Sequence, residues 1–211
     1  MSVEAKICGL STPETVDAAV AAGARWVGFV TFPRSPRHIS TDLLRTLGAR
    51  VPKSVGRVGL FVDPDDALLD ERLATGAIDM LQLHGSETPA RVSALKVRTG
   101  KPVMKAIKVA EAGDVEQGIA AYAGVADRLM FDAADGILPG GNAKAFDWTI
   151  LSGRRISVPW FLAGGLTPDN VAEAVRVTGA PAVDVSSGVE SSRGVKSVEL
   201  IRAFLDRVKA L

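Results

Sequence analysis

Short runs rich in β-branched and aliphatic residues alternate with longer amphipathic segments along the whole 211-residue chain. Most runs begin about 25 residues after the previous one, which leaves room for one helix between consecutive strands. In a chain of this length, that spacing predicts a (β/α)8 TIM barrel near the lower size limit of the fold. The predicted strands are Glu4–Cys8, Trp26–Thr31, Ser54–Val62, Ile78–Leu83, Pro102–Ile107, Arg128–Phe131, Pro159–Leu162 and Ala182–Val185.

The main alternative to a barrel is a doubly wound open sheet. That fold places a GxGxxG motif after its first strand, and this chain has none there. Helix starts follow several strands closely, as in Ser11-Thr12-Pro13-Glu14, Asp63-Pro64-Asp65-Asp66 and Thr167-Pro168-Asp169-Asn170. With 47% apolar residues and no linker, residues 1–211 are expected to form one barrel domain.

The composition limits the classes of partner. The formal net charge is +1, and the chain has no block of like charges, so neither nucleic-acid binding nor a basic membrane-binding face is predicted. No run approaches the roughly 20 apolar residues of a membrane span. A single cysteine excludes an internal disulfide framework, and the first residues lack the apolar run of a secretory signal. A cytoplasmic protein that binds small molecules is expected.

Two residues at predicted strand ends could transfer protons. Cys8 ends the first strand, and a thiolate is a competent base, although a lone cysteine is more often a small buried apolar residue. Asp132 follows the sixth strand, roughly across the barrel mouth from Cys8. An acid and a base facing one cavity suit an isomerisation by proton transfer. The alternative for Asp132, about equally supported, is a solvated aspartate that caps a turn.

Glycine-rich turns follow the last two predicted strands. The first contains Gly164 and Gly165, and the second contains Ser187 and Gly188. In barrels, the loops after strands seven and eight commonly bind phosphate through backbone amides, and glycine allows a close approach to the anion. Glycines also serve ordinary tight turns. The pair of turns nevertheless predicts a phosphorylated small-molecule ligand that is bound with little help from lysine.

Other residues near the predicted barrel mouth are weaker candidates. Arg34 and Arg37 could clamp an anionic group of the substrate, or could form surface ion pairs. His84 could line the pocket or simply tie down a loop. Asp184 could order the eighth-strand turn or contact a sugar hydroxyl, but it could equally cap that turn. The glycine-rich segment 133–145 is interpreted as an active-site flap.

Several of these motifs occur in one order along the chain, and together they resemble phosphoribosylanthranilate isomerase. The resemblance runs from Lys6 to about Lys196. It is carried by Lys6-Ile7-Cys8-Gly9, Phe32-Pro33-Arg34-Ser35-Pro36-Arg37, Gly59-Leu60-Phe61-Val62, Leu81-Gln82-Leu83-His84-Gly85, Phe146-Asp147-Trp148, Leu162-Ala163-Gly164-Gly165-Leu166 and Val183-Asp184-Val185-Ser186-Ser187-Gly188-Val189-Glu190.

The resemblance implies an internal redox reaction of tryptophan biosynthesis that uses no metal or organic cofactor. The substrate would be N-(5-phosphoribosyl)anthranilate and the product 1-(2-carboxyphenylamino)-1-deoxyribulose 5-phosphate. By matching position, Cys8 would be the general base, Asp132 the general acid and Arg37 the partner of the anthranilate carboxylate. The amides around Gly164, Gly165, Ser187 and Gly188 would bind the phosphate. Ala143 stands where the family often has a further glycine, which bears on the flap alone.

Three alternatives remain beside this reading. The sugar-aldose isomerase of histidine synthesis uses paired aspartates, and Cys8 at the first strand end argues against it. Indole-glycerol-phosphate synthase relies on lysines and a glutamate at strand ends, for which there is no convincing match. A non-catalytic phosphate-binding barrel would have no need of Cys8 and Asp132. The chain is expected to be a monomer or a homodimer, and the apolar helix residues Leu47, Val51 and Leu211 are expected in the core.

Overall fold

In the computed structural model, which describes residues 2–133 and 147–211, eight parallel strands close into a barrel. The strands follow one another in sequence order, and β8 pairs with β1. The barrel strands are β1 Glu4–Cys8, β2 Trp26–Val30, β3 Gly56–Phe61, β4 Met80–Leu83, β5 Val103–Val109, β6 Arg128–Ala133, β7 Trp160–Leu162 and β8 Ala182–Val185. The helices of the described ranges are α1 Pro13–Ala21, α2 Thr41–Gly48, α3 Asp66–Leu73, α4 Pro89–Thr99, α5 Ala112–Tyr122, α6 Val171–Thr178 and α7 Val198–Lys209.

The predicted TIM barrel is confirmed. All eight predicted strands are present; β1 and β8 have the predicted bounds, and the others differ by one or two residues at an end. The segment between β6 and β7 contains a short 3-10 helix, Trp148–Leu151, in its described part. The predicted flap 133–145 lies outside the described residues except for Ala133, the last residue of β6.

A small hairpin, which the sequence pattern did not predict, follows the barrel. A 3-10 turn at Ser187–Val189 leads into β9 Glu190–Ser192, which pairs antiparallel with β10 Val195–Lys196. Strands this short have too few residues to show an alternating pattern. The hairpin contributes Glu190 and Lys196 to the edge of the barrel mouth.

Local capping explains where the helices begin. The side chain of Thr12 accepts a hydrogen bond from the amide of Thr15, and that of Asp65 accepts one from Leu68. Asn170 caps α6 differently, because its side chain turns back to bind the preceding loop. The helices α1 and α3 therefore start five positions after the preceding strand ends, and α6 starts nine positions after β7 ends.

The strands separate two apolar regions. Ala5 and Ile7 of β1 pack outward against the helices, whereas Lys6 and Cys8 face the barrel interior. The interior contains a cluster formed by Val58, Met80, Met104, Ala106, Met130, Phe161, Ala163 and Ala182. The barrel interior is therefore packed with side chains, and a cavity remains at its carboxyl-terminal end.

The expectations for apolar helix residues are partly correct. Leu47 and Val51 are buried, as predicted. Leu211 is 45% exposed, so its assignment to the core was wrong: it follows the end of α7, beyond the turns that pack on the barrel. Among residues 2–133 and 147–211, no helix has both the length and the apolar character required to cross a bilayer.

Candidate active site

A cavity opens at the carboxyl ends of the barrel strands, with about 560 Å³ of empty space including its mouth. It brings together eight of the nine site residues predicted from the sequence. These are Cys8, Arg37, His84, Asp132, Gly164, Gly165, Asp184 and Ser187. Of the two arginines near the second strand, Arg37 lines the cavity, whereas Arg34 is exposed.

Cys8 lies at the end of β1 and is 3% exposed. Val30 at the end of β2 and Leu60 on β3 pack with it. Burial raises the pKa of the Cys8 thiol, the positive charge of Lys6 lowers it, and the negative charge of Asp184 raises it further. The protonation state of Cys8 therefore depends on two charges immediately beside it in the barrel.

Lys6 is fully buried below Cys8, and sequence reasoning gave it no role. Its Nζ donates a hydrogen bond of 2.8 Å to Oδ1 of Asp184, the residue opposite it on β8. Asp184 is thus one half of a buried ion pair, whereas the sequence suggested a turn cap or a contact to a sugar. The available signal was the strand alternation, which places Lys6 on the same face of β1 as Cys8.

Asp132 lies near the end of β6 and is buried, so it is not the solvated turn cap considered as an alternative. Its Oδ1 accepts a hydrogen bond from the amide of Ala133, and its Oδ2 lies 3.1 Å from Nε2 of His84. Nδ1 of His84 lies 3.1 Å from Nε2 of Gln82. Sequence reasoning missed Gln82. The available signal was its position on β4, two residues before His84, which places both side chains on the same face of the chain.

Arg37 forms a buried ion pair rather than a surface one. Its Nε and Nη2 donate to the two carboxylate oxygens of Glu190 at 2.6 and 2.8 Å, and Nζ of Lys196 lies 2.6 Å from the same carboxylate. Burial alone would raise the pKa of Glu190, but Arg37 and Lys196 outweigh it and hold the pKa at about 2. Glu190 and Lys196 were missed because the hairpin that carries them was not predicted.

The two glycine-rich turns lie against each other. Gly164 and Gly165 have φ angles of 86° and 66°, which favour glycine, and Asn170 donates a hydrogen bond of 2.9 Å to the carbonyl of Gly165. A Cβ atom at Gly188 would lie 1.8 Å from the carbonyl oxygen of Leu166. Gly188 therefore packs the second turn on the first and is not among the residues that line the cavity.

Among residues 2–133 and 147–211, no group of three or more His, Cys, Asp or Glu side chains is placed to hold a metal ion. The available groups are a thiol, a carboxyl, an imidazole, a guanidinium and the backbone amides of two turns. Such a set can move protons and bind anions.

A sequence model of N-(5'-phosphoribosyl)anthranilate (PRA) isomerase matches residues 5–207. The chain belongs to the PRA isomerase family. It is 56% identical to the PRA isomerase of Paracoccus denitrificans, over all of this chain and 99% of that protein. It is 54% identical to the PRA isomerase of Paramagnetospirillum magneticum, over 97% of this chain and 96% of that protein. The chain is thus an enzyme of the isomerase class that acts in tryptophan biosynthesis.

Solved structures of PRA isomerases share the fold. The enzyme of Thermotoga maritima superimposes with a TM-score of 0.88 at 33% identity, covering 99% of this chain and all of that one. Another PRA isomerase was solved in complex with reduced 1-(o-carboxyphenylamino)-1-deoxyribulose 5-phosphate. It superimposes with a TM-score of 0.85 at 32% identity, over 99% of this chain and all of that one.

Proposed function

We propose that the chain converts N-(5-phosphoribosyl)anthranilate into 1-(2-carboxyphenylamino)-1-deoxyribulose 5-phosphate, with Asp132 as general acid and Cys8 as general base. One observation carries this assignment: the thiol and the carboxyl reach the same cavity from β1 and β6, beside the glycine-rich turns. The PRA isomerase complex with the reduced carboxyphenylamino-deoxyribulose phosphate supports the choice of substrate.

The reaction requires two proton transfers at adjacent carbons and two at oxygen atoms. Asp132 donates its proton to the furanose ring oxygen, the C1′–O bond breaks, and the anthranilate nitrogen lone pair forms a protonated Schiff base. The thiolate of Cys8 then removes the proton from C2′. The electrons of that C–H bond form the C1′–C2′ double bond of an enolamine and neutralise the nitrogen. Reprotonation at C1′ and loss of the hydroxyl proton at C2′ give the ketone product.

Substrate binding divides between two sides of the cavity. The backbone amides around Gly164, Gly165 and Ser187 are proposed to bind the phosphate, since a turn rich in glycine lets the backbone approach an anion closely, and Gly188 is proposed to pack the second turn on the first. On the other side, Arg37 is proposed to bind the anthranilate carboxylate. Its ion pair with Glu190 fixes the guanidinium in the cavity wall, which reduces the entropy lost when substrate binds.

The mechanism uses no metal or organic cofactor, because each step moves only protons and bonding electrons of the substrate. We propose that the enzyme works in the cytoplasm as a monomer or a homodimer. A PRA isomerase of Thermotoga maritima is described as dimeric, at 33% identity to this chain. Analytical ultracentrifugation of the purified chain distinguishes the two assemblies.

The test is a fluorescence assay that follows freshly made phosphoribosylanthranilate as it disappears. Cys8→Ala and Asp132→Asn are each expected to lower kcat by about 10²–10⁴, the usual contribution of a general acid or base. Both variants should still bind inorganic phosphate with near-normal affinity, because the glycine-rich turns are unchanged. Near-normal turnover by both variants would contradict the assigned roles, and a wild-type protein without turnover would contradict the function itself.

A further inference from the structure

A lysine is buried without solvent contact directly below the proposed base. Lys6 is 0% exposed, and its ammonium is paired with Asp184 at 2.8 Å. The steps proposed above use neither of these groups. Removing an ammonium and a carboxylate from water costs free energy that their mutual attraction only partly recovers, so a buried ion pair is weak evidence of a stabilising role. Interior positions on other strands hold apolar side chains instead, such as Met80 on β4 and Met104 on β5.

The geometry directs Lys6 towards Cys8. The two residues are separated by one position on β1 and share its inward face. A Cβ atom built at Gly28, the partner of Cys8 on β2, would lie 3.0 Å from both Sγ of Cys8 and Nζ of Lys6. The ammonium and the thiol therefore border the same small space. That space is open because Gly28 has no side chain.

The charges around Cys8 come from several elements. Lys6 lies on its own strand and Asp184 on β8, while the hairpin contributes Lys196. The cavity wall further away holds Arg37, His84 and Asp132. The next two strands around the barrel, β2 and β3, present the apolar side chains of Val30 and Leu60.

Among these groups, Lys6 is the main one that opposes the effect of burial. Burial raises the pKa of the thiol, and the charge of Lys6 is the largest influence that lowers it. Burial would by itself lower the pKa of Lys6, but Asp184 and Cys8 outweigh it and raise that pKa above its ordinary value. The lysine therefore keeps its positive charge although no water reaches it.

We propose that Lys6 is a positioning residue of the reaction: its ammonium, held and kept charged by Asp184, stabilises the thiolate of Cys8 for removal of the C2′ proton. This inference rests on the proposed role of Cys8 as base and adds the group that makes the base available. Asp184 acts in two opposite ways, since it keeps Lys6 charged while its own negative charge disfavours the thiolate.

Removing the charge of Lys6, alone or together with that of Asp184, provides the test. Because Cys8 is the only cysteine, cysteine labelled at its β carbon gives one NMR signal whose titration reports this thiol alone. Lys6→Met should move the titration midpoint upward by about one to three pH units, the usual effect of losing a nearby opposite charge. Lys6→Met/Asp184→Asn, which removes both charges, should move it upward by less, because Lys6 influences the thiol more than Asp184 does. Lys53→Met, which removes an exposed lysine before β3, should leave it unchanged.

Turnover gives the second readout. In Lys6→Met, kcat at neutral pH should fall by about tenfold for each unit of the upward shift, and should recover towards the wild-type rate as pH rises through the new midpoint. Simple damage to the barrel would not be reversed by alkali. If Lys6→Met does not fold, the titration of Lys6→Met/Asp184→Asn decides the question, because that variant leaves no unpaired carboxylate in the core.

The inference is overturned if Lys6→Met leaves the midpoint at its wild-type value, or if the double variant moves it downward. These outcomes are independent of the proposed function, because the NMR titration requires no substrate. Conversely, a wild-type protein that fails to turn over phosphoribosylanthranilate would defeat the proposed function while leaving the coupling of Lys6 and Cys8 intact.

Discussion

Nε2 of His84 lies 3.1 Å from Oδ2 of Asp132, with both side chains buried at the mouth of the barrel. The other ring nitrogen faces the amide of Gln82, so the imidazole is held from both sides. In a neutral imidazole, one nitrogen donates and the other accepts. The amide nitrogen of Gln82 can only donate, so Nδ1 accepts and Nε2 of a neutral imidazole donates to Oδ2 of Asp132. The proposed acid is thus part of a chain of three side chains.

Removing the imidazole should impair the acid without affecting substrate binding. His84→Ala deletes a hydrogen bond to Asp132 worth about 1.5–3 kcal/mol, so kcat is expected to fall about 10–100-fold with little change in KM. His84→Gln, which can still donate to the carboxyl, should retain more activity. Steady-state assays of both variants, with the chain's other histidine changed in His38→Ala as control, check this. A fall in kcat/KM that comes from KM alone would contradict it.

The glycine at position 188 should be required for the contact between the two phosphate-binding turns. Gly188→Ala places a Cβ atom 1.8 Å from a backbone oxygen that cannot move independently, so the turns must separate. We expect a loss of stability of about 1–3 kcal/mol and weaker binding of inorganic phosphate, measured by urea unfolding and calorimetry. Gly124→Ala, an exposed position with no atom within 4 Å of the new Cβ, should be nearly neutral. Equal behaviour of the two variants would refute this account.

The sequence predicted the barrel well because strand spacing and apolar patterning are properties of each local segment. Positions at strand ends such as Cys8 and Asp132 could be assigned to the cavity for the same reason. The pairing of Lys6 with Asp184 could not be predicted, because 178 positions separate them and only the closure of β8 on β1 brings them together. Glu190 was missed because its hairpin is too short to leave a pattern.

The free energy of unfolding at acid pH should depend on Glu190. Its pKa in the folded protein is about 2, below the ordinary value of 4.5. A lowered pKa stabilises the fold above pH 4.5, and this stability is lost as pH falls through 4.5 towards 2. Glu190→Gln should therefore lower stability at neutral pH, and should flatten the decline between pH 4.5 and 2 by up to about 1.4 kcal/mol per pH unit. Urea unfolding across this range tests it, with the exposed Glu14→Gln as control. A slope unchanged from wild type would contradict the ion-pair assignment.

The loop after β4 should depend on a second buried ion pair, Lys105 with Glu87. Nζ of Lys105 lies 2.8 Å from the Glu87 carboxylate and also donates to the carbonyl of Gly85, next to His84. Lys105→Met leaves a carboxylate buried without its cation, so a loss of about 3–5 kcal/mol is expected in urea unfolding. Adding Glu87→Gln removes that charge and should restore part of the loss. Lys96→Met, which breaks a partly exposed pair, should cost at most about 1 kcal/mol. If Lys105→Met is tolerated as well as Lys96→Met, the pair does not hold the loop that carries His84.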